Sequence, residues 1–472
     1  MRRTKIICTL GPASADEDIM RQMLLSGMNV ARLNFSHGTH ESHREMIARF
    51  RAVRDSLGVA AAVMLDTKGP EIRLGDFAEN ALVQPGESYT FTTLPADGDS
   101  GRCHVNYAGL PGDVRPGDSI LVDDGELSFR VEECTDTDIR CTVLDGGRLK
   151  SHKGVNVPGS RLAMPFLSDR DKSDLLFGIE QDVDYIAASF TRRAQDIIDM
   201  RQFLLANGGE KIRIIAKIEN VEGVENFAEI LAQADGIMVA RGDMGVEIAF
   251  ENLPGIQKRF IRECCQAGKT VITATQMLDS MEENRRPTRA EISDVANAVF
   301  DGSSAIMLSG ETASGKYPVD AVQVMDRIAS RAEEDALAAG LYKAIWHQVY
   351  PGDNTNAVSA AACTMAEQTL ARAIIADTST GKAARRVAKY RPAQMILAAT
   401  PDKKVFHQLS MVWGVNPMLV RRVDSVDVLF HIAIEEALSC RYIAQGDTVV
   451  LTAGIPLNTS GSTNMLKVQT VE

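Results

Sequence analysis

Three observations predict an α/β fold class: a (β/α)8 TIM barrel with an inserted β-rich lid domain and a C-terminal α/β domain. Eight short apolar runs each end in polar residues, and most are separated by helix-compatible stretches. About a hundred residues of different texture interrupt the series between the third run and the fourth. A second set of strand-like runs follows a Gly- and Pro-containing stretch near residue 350.

The eight runs are TKIICTLGP, NVARLNFSHG, AAVMLDTKGP, DYIAASF, RIIAKIEN, GIMVARGD, TVITATQ and AIMLSGE. Their length and β-branched content read as buried strands. Stretches 14–26, 40–57, 192–206, 221–234, 252–267 and 288–301 read as helices, with Ser14 and Glu17 as a capping box opening the first. Strand and helix repeated eight times is the pattern of a barrel whose chemistry lies at the C-terminal strand ends. Those ends are the polar ones here. The boundaries expected are 1–69 and 168–342 for the barrel and 70–167 for the insertion. The insertion's alternating runs and tight-turn signals, such as VRPGDSILVDDGELSFRV and LDGGRLK, read as a small antiparallel β domain. A structureless loop of that length is improbable, and an insertion at the catalytic rim can close over it as a lid. A helix over 319–339 and a linker, GLYKAIWHQVYPGDNTNAV, lead to strands AIIAD, AQMILAAT, NPMLV, DTVVLTAG and TNMLKVQTV, a C-terminal α/β domain spanning 350–472.

Composition narrows the partners. The 472 residues are 45% apolar, enough for several cores, and the net charge of −12 disfavours a nucleic-acid binder. Eight cysteines without a CxxC pair argue against a disulfide framework or a zinc site. The first residues run straight into a strand and no apolar run approaches a membrane span, so a cytoplasmic location is expected.

Side chains two apart on a strand share a face. Lys217 and Glu219 therefore point together, and Asp243 is expected at the same rim from the next strand. A cation and two carboxylates there suit a divalent metal and a phosphate: carboxylates are Mg²⁺ ligands, and an ammonium can neutralise charge on a transferred phosphoryl group. The bland alternative is an internal ion pair, a poor source of stability when buried. Arg32, Asn34 and Ser36 would project together if their strand stays extended, beside Asp66 and Thr67. A guanidinium among oxygen donors suits phosphate plus a hard cation, although polar strand-end residues also satisfy loop backbone. A helical turn starting at ARGD could offer free N–H groups to a carboxylate, and Thr275 could position a proton-bearing water or simply cap a helix. GETASGK at 310–316 has phosphate-loop spacing, but Tyr317 stands where Ser or Thr is needed, so it reads as the loop ending the eighth strand. In the C-terminal region, Thr378, Ser379, Thr380, Gly381 and Lys382 form a turn before a helix, an anion site or an ordinary helix start.

Together, RLNFSHG, LDTKGPEIR, KGVN-PG, KIEN, MVARGD-G, ATQML and MLSGE, in this order across nearly the whole chain, resemble the pyruvate kinase family, in a bacterial-length form. The resemblance implies phosphoryl transfer from phosphoenolpyruvate to ADP, giving pyruvate and ATP. It implies that Arg32 contacts the phosphate, that Asn34, Ser36, Asp66 and the Thr67 carbonyl hold K⁺, and that Glu71 accompanies K⁺ dependence. Arg73 and Lys153 would contact nucleotide, Lys217 would stabilise the transition state, Glu219 and Asp243 would hold Mg²⁺ or Mn²⁺, and Gly242, Asp243 and Thr275 would contact substrate. It also implies a homotetramer and an effector such as a sugar phosphate or AMP. Many relatives bind a sugar phosphate at the 378–382 turn and have a hydroxyl residue where this chain has Ala383. Two other classes are a Mg²⁺-dependent lyase or aldolase, which would not need Lys217 or the K⁺ set, and a silent scaffold, which would have lost one of these charged residues.

Overall fold

The protein is described from a computed structural model covering residues 2–79, 81–342, 353–457 and 463–472. Eight parallel strands close into a barrel: Lys5–Thr9, Met28–Asn34, Ala62–Asp66, Tyr185–Ala188, Arg213–Ile218, Gly236–Ala240, Thr270–Ala274 and Ala305–Leu308. The ring runs in chain order, and the eighth strand pairs with the first. All eight predicted runs are barrel strands.

Strand alternation sorts the side chains into two cores. In Arg213–Ile218, Ile214, Ala216 and Ile218 face the surrounding helices. Ile215 faces the barrel interior with Ile7, Val30, Met64, Ala187 and Met238. On five of the strands the inward row ends at the rim in a polar residue: Thr9 follows Ile7, Arg32 follows Val30, Asp66 follows Met64, Ser189 follows Ala187 and Lys217 follows Ile215, whereas Ala240 follows Met238 and Ala274 follows Ile272. The site is thus the upper end of the interior core.

The outer helices depart from expectation in three places. The first is Glu17–Leu25, with Asp16 rather than Ser14 as its cap; Ser14 ends a short 3₁₀ turn and its hydroxyl accepts from Gly11 N. The expected 221–234 helix is two, Val221–Glu225 and Phe227–Gln233. A helix over Asp169–Glu180, unassigned from sequence, leads into the fourth strand.

Between the third and fourth strands, residues 72–156 form a seven-stranded sheet around their own core, which includes Tyr89, Phe91 and Phe129. Its pairings are antiparallel except that Ser88–Thr92 and Arg102–His104 run parallel. Beyond the barrel, Ala373–Asp377, Met395–Thr400, Val415–Leu419 and Thr448–Gly454 form a parallel sheet that Thr463–Thr470 joins antiparallel. Most of the expected linker, 343–352, lies outside the described residues, and its last residues open the helix Asn354–Gln368. This α/β domain closes the N-terminal end of the barrel, where fully buried Met411 belongs to the interior core. Among the described residues, no helix is long and apolar enough to cross a membrane.

Candidate functional site

Four charged side chains meet under the rim. Arg32 donates from Nε to Asp66 Oδ2 at 2.6 Å and from a terminal nitrogen to Thr9 Oγ1 at 2.8 Å. Lys217 Nζ lies 3.1 Å from Asp66 Oδ1, 2.7 Å from Ser189 Oγ and 3.0 Å from Glu219 Oε1. Asp66 and Glu219 are buried, and the backbone N–H of Phe190 donates to Glu219 Oε2 at 2.6 Å.

Their electrostatics differ. Burial drives the Asp66 carboxyl up, but Arg32 and Lys217 overturn this and hold it below the ordinary carboxylate value. Burial lowers the Lys217 ammonium, and Asp66 with Glu219 more than restores it, leaving it raised. Glu219 is pushed up to about 7 by burial and by the nearby charge of Asp243, only partly offset by Lys217. Asp66 is therefore the fixed anion of the group, and Glu219 is the carboxylate with most to gain from a further cation.

The sixth strand hands over at Ala240 to the helix Arg241–Glu247, so Asp243 stands in a first helical turn and not on a strand. Among the described residues, its carboxylate makes no hydrogen bond or salt bridge. Thr275, at φ +70°, accepts from Gly242 N at 2.9 Å and donates to its neighbour's carbonyl, Ala274 O. The cap reading of Thr275 takes an unexpected form: its hydroxyl accepts from the first turn of the helix that follows the adjacent strand. Arg241 is drawn off to Asp294 and to Thr275 O.

The second strand ends at Asn34, so Ser36 lies in a turn and not on the face shared by Arg32 and Asn34. The cause is local: Asn34 Oδ1 accepts from Ser36 N at 3.1 Å, and this side-chain turn competes with extension. Asn34 still pairs in register with Asp66. Thr67 O accepts from Ser189 Oγ at 2.7 Å.

A cleft of about 150 Å³ separates the insertion from the rim, lined in part by Asp124, Asn156, Phe190, Arg192, Asp243 and Glu247. Lys217 and Arg32 do not line it. Arg73 is clamped by both oxygens of Glu71 at 2.7 and 2.8 Å, and Lys153 pairs with Asp123 at 2.6 Å. Ion pairs thus hold both candidate nucleotide contacts. The stretch Gly310–Ala313 forms a short helix after the eighth strand.

At the opposite end of the barrel, Gly381, at φ +78°, starts the helix Lys382–Lys389 without a side-chain cap. Thr378 is buried, Ser379 and Thr380 are partly exposed, and Lys382 is exposed. Thr380 O accepts from Arg385 at 2.6 Å and from Arg213, the first residue of the Lys217 strand, at 3.1 Å. Ala383 is buried against the domain core, so a hydroxyl there would face apolar neighbours.

Sequence reasoning missed Ser189, Phe190 and Thr9. Ser189 was within reach of the argument that found Lys217, because it follows inward-facing Tyr185 and Ala187 at spacing two.

Residues 1–322 match the family described as pyruvate kinase, barrel domain, and residues 356–469 match pyruvate kinase, alpha/beta domain. The chain is 48% identical over 474 residues to a pyruvate kinase of Clostridium acetobutylicum, both chains being covered in full. It is 46% identical over 476 residues to one of Geobacillus stearothermophilus, covering all of this chain and 80% of that one. A crystal structure of a pyruvate kinase from Cryptosporidium parvum superposes with a TM-score of 0.93 at 38% identity, covering all of this chain and 96% of the other. The chain belongs to the pyruvate kinase family.

Proposed function

We propose that the buried group under the rim moves the phosphoryl group of phosphoenolpyruvate directly to the β-phosphate of ADP, releasing an enolate that is protonated to pyruvate. The observation that carries this reading is Lys217: a largely buried ammonium held by Asp66, Ser189 and Glu219 at the end of the interior core. Arg32, fixed by Asp66 and Thr9, presents its fork to the substrate phosphate. Lys217 neutralises charge on the passing group, an electrostatic effect that is strong in a buried site. Gly242, Asp243 and Thr275 contact the substrate, and Thr275 assists protonation of the enolate through water.

The donor set fits a divalent cation. Glu219 and Asp243 are hard oxygen ligands, and Asp243 has no competing partner among the described residues. No cluster of three or more His, Cys, Asp or Glu suited to an ion occurs among them either, so substrate oxygens or water would complete the shell. Mg²⁺ or Mn²⁺ held there supplies Lewis-acid neutralisation of phosphate oxygens. Asn34, Ser36, Asp66 and the Thr67 carbonyl are likewise all oxygen donors and fit K⁺; among the described residues the Ser36 hydroxyl has no partner.

Arg73 and Lys153 take the nucleotide by exchanging Glu71 and Asp123 for phosphate. In this reading residues 1–69 and 168–342 are the catalytic barrel, 70–167 the lid and 350–472 a regulatory domain. Its Thr378, Ser379, Thr380, Gly381 and Lys382 receive a phosphorylated effector, a sugar phosphate or AMP. A cytoplasmic homotetramer completes the proposal.

The test is pyruvate release from phosphoenolpyruvate with ADP, K⁺ and Mg²⁺ each present or withheld. Release that needs all three is expected. Release without ADP would point to a lyase, and silence in every condition to a scaffold.

A further inference from the structure

The dipeptide Ser189–Phe190, just past the fourth barrel strand, holds both members of the Lys217–Glu219 pair. Phe190 donates its backbone N–H to Glu219 Oε2. It does so at φ +54°, a conformation that bulky residues seldom adopt and that clusters at functional sites. Ser189, 2% exposed, meets three groups through one oxygen. Lys217 Nζ donates to it at 2.7 Å, Thr67 O lies at 2.7 Å and Asp66 Oδ1 at 3.1 Å. A hydroxyl has one proton to give, and the shorter contact assigns it to the Thr67 carbonyl. The oxygen is then free to accept from Lys217.

Ser189 has little room to move. Its backbone N–H donates to Thr67 Oγ1 at 3.2 Å. The loop above approaches so closely that a Cβ on Gly69, itself at φ +73°, would lie 2.9 Å from both Ser189 Cβ and Ser189 O. The hydroxyl is a fixed point between the third and fifth strands.

An ammonium has three N–H donors, and those of Lys217 are divided among Asp66, Ser189 and Glu219. When Glu219 turns to a cation, one donor is released toward the phosphoryl group while Asp66 and Ser189 retain the other two. Asp66 is shared with Arg32, whereas Ser189 is a neutral acceptor that costs Lys217 little of its charge. We propose that Ser189 is a positioning residue for phosphoryl transfer: its hydroxyl, fixed by the Thr67 carbonyl, holds the Lys217 ammonium so that the released N–H meets the transferred group. This rests on the reading of Lys217 as transition-state partner.

The experiment compares Ser189→Ala and the near-isosteric Ser189→Cys with wild type in the full-length chain. Steady-state rates are measured over phosphoenolpyruvate, ADP and K⁺ concentrations, with thermal melting of the protein free of substrate and Mg²⁺. For Ser189→Ala, kcat is expected to fall about 10- to 100-fold, while KM for either substrate and half-saturating K⁺ stay within about threefold. Ser189→Cys, which keeps the shape but accepts weakly, is expected to lose at least about fivefold in kcat and to melt with wild type. A kcat within twofold of wild type in both variants would overturn the proposal. So would a loss reversed by excess K⁺, since Ser189 would then serve the cation site, or one that follows the melting midpoint. Failure of wild type itself to transfer phosphoryl to ADP would instead overturn the reading of Lys217.

Discussion

The strand Arg213–Ile218 carries a cation near each end, and the two are used in opposite ways. At the N-terminal end, Arg213 reaches outward to Asp235, Gln408 and Thr380 O, mixing one carboxylate with neutral acceptors of the C-terminal domain. Near the C-terminal end, Lys217 points inward to two carboxylates and a hydroxyl. Exposed ion pairs also join the lower end to the C-terminal domain, Lys211 with Asp402 and Lys403 with Asp55, but its buried contacts follow the contrast. At the lower end, donors meet backbone carbonyls: Lys5 bonds Val415 O, Ser410 bonds Asn29 O, and Arg391 bonds Gly302 O. At the upper end, charges meet charges. Carbonyl contacts fasten two bodies whatever their charge state, whereas a cluster of buried charges has a field that responds to whatever enters it. The lower end is built to hold and the upper end to react.

Lys217→Met tests the upper half of that contrast most severely. Removing one preorganised electrostatic partner costs about 10²–10³ in rate, so kcat is expected to fall at least that far. The fold should survive, because Glu219, already pushed up to about 7, can take a proton once its cation is gone. Circular dichroism beside a pyruvate-release assay checks both points. Near-wild-type turnover would remove Lys217 from the chemistry.

Met411→Ala probes the lower half. Met411 is fully buried in the barrel's interior core although it belongs to the C-terminal domain. Truncation of a core methionine costs about 2–5 kcal/mol, to be read as a shift in denaturant unfolding. If this end only fastens, kcat at a temperature where the variant is folded stays within about twofold. A tenfold fall in kcat would show that the seal also aligns the rim, and the contrast between the ends would weaken.

Asp184 sharpens the comparison through pH. It is buried at the lower end and accepts from Val63 N at 2.8 Å. Burial raises it to about 6, against the backbone hydrogen bond and the charges of Lys404, Arg54 and Arg51. The folded state thus holds this proton more tightly than the unfolded chain, whose value is near 3.8. Its stabilising contribution is complete below that value and is lost as pH rises through about 6. Asp184→Asn is expected to remove this component, so the variant gains stability relative to wild type between about pH 4 and 6 and keeps the gain above. Denaturation series at fixed pH values measure the difference. A constant offset at every pH would mean that Asp184 is not a buried titrating group.

The strands were legible because burial on both faces leaves unbroken apolar runs, and Lys217, Glu219, Arg32 and Asp66 because charge at the end of such a run is conspicuous. What escaped depended on contacts that spacing does not encode. Ser36 leaves its strand because the Asn34 side chain captures its N–H. Ser14 bonds back to Gly11 and leaves the cap to Asp16. Ser189 carries no charge, and its importance arises only when barrel closure brings Thr67, Asp66 and Lys217 around it. Met411 lies in an ordinary apolar stretch, and only docking of the C-terminal domain makes it part of the barrel core.

The smallest expected effect comes from a single strand. Tyr185, at the lower end of Tyr185–Ala188, donates its hydroxyl to Gln408 O at 2.5 Å. Ser189, just past the upper end on the same face, donates to Thr67 O. Both are buried hydroxyls on carbonyls, so hydrogen-bond energy alone predicts like consequences for their loss. Tyr185→Phe deletes one neutral hydrogen bond and is expected to cost about 1 kcal/mol of stability. Because nothing charged depends on it, kcat should be unchanged within error. Ser189→Ala is expected to cost at least a similar amount of stability and, in addition, to reduce kcat. Unfolding and steady-state measurements on the two variants, made side by side, separate fastening from positioning. Parallel losses in both readouts for both variants would mean that the ends of the barrel are one coupled unit.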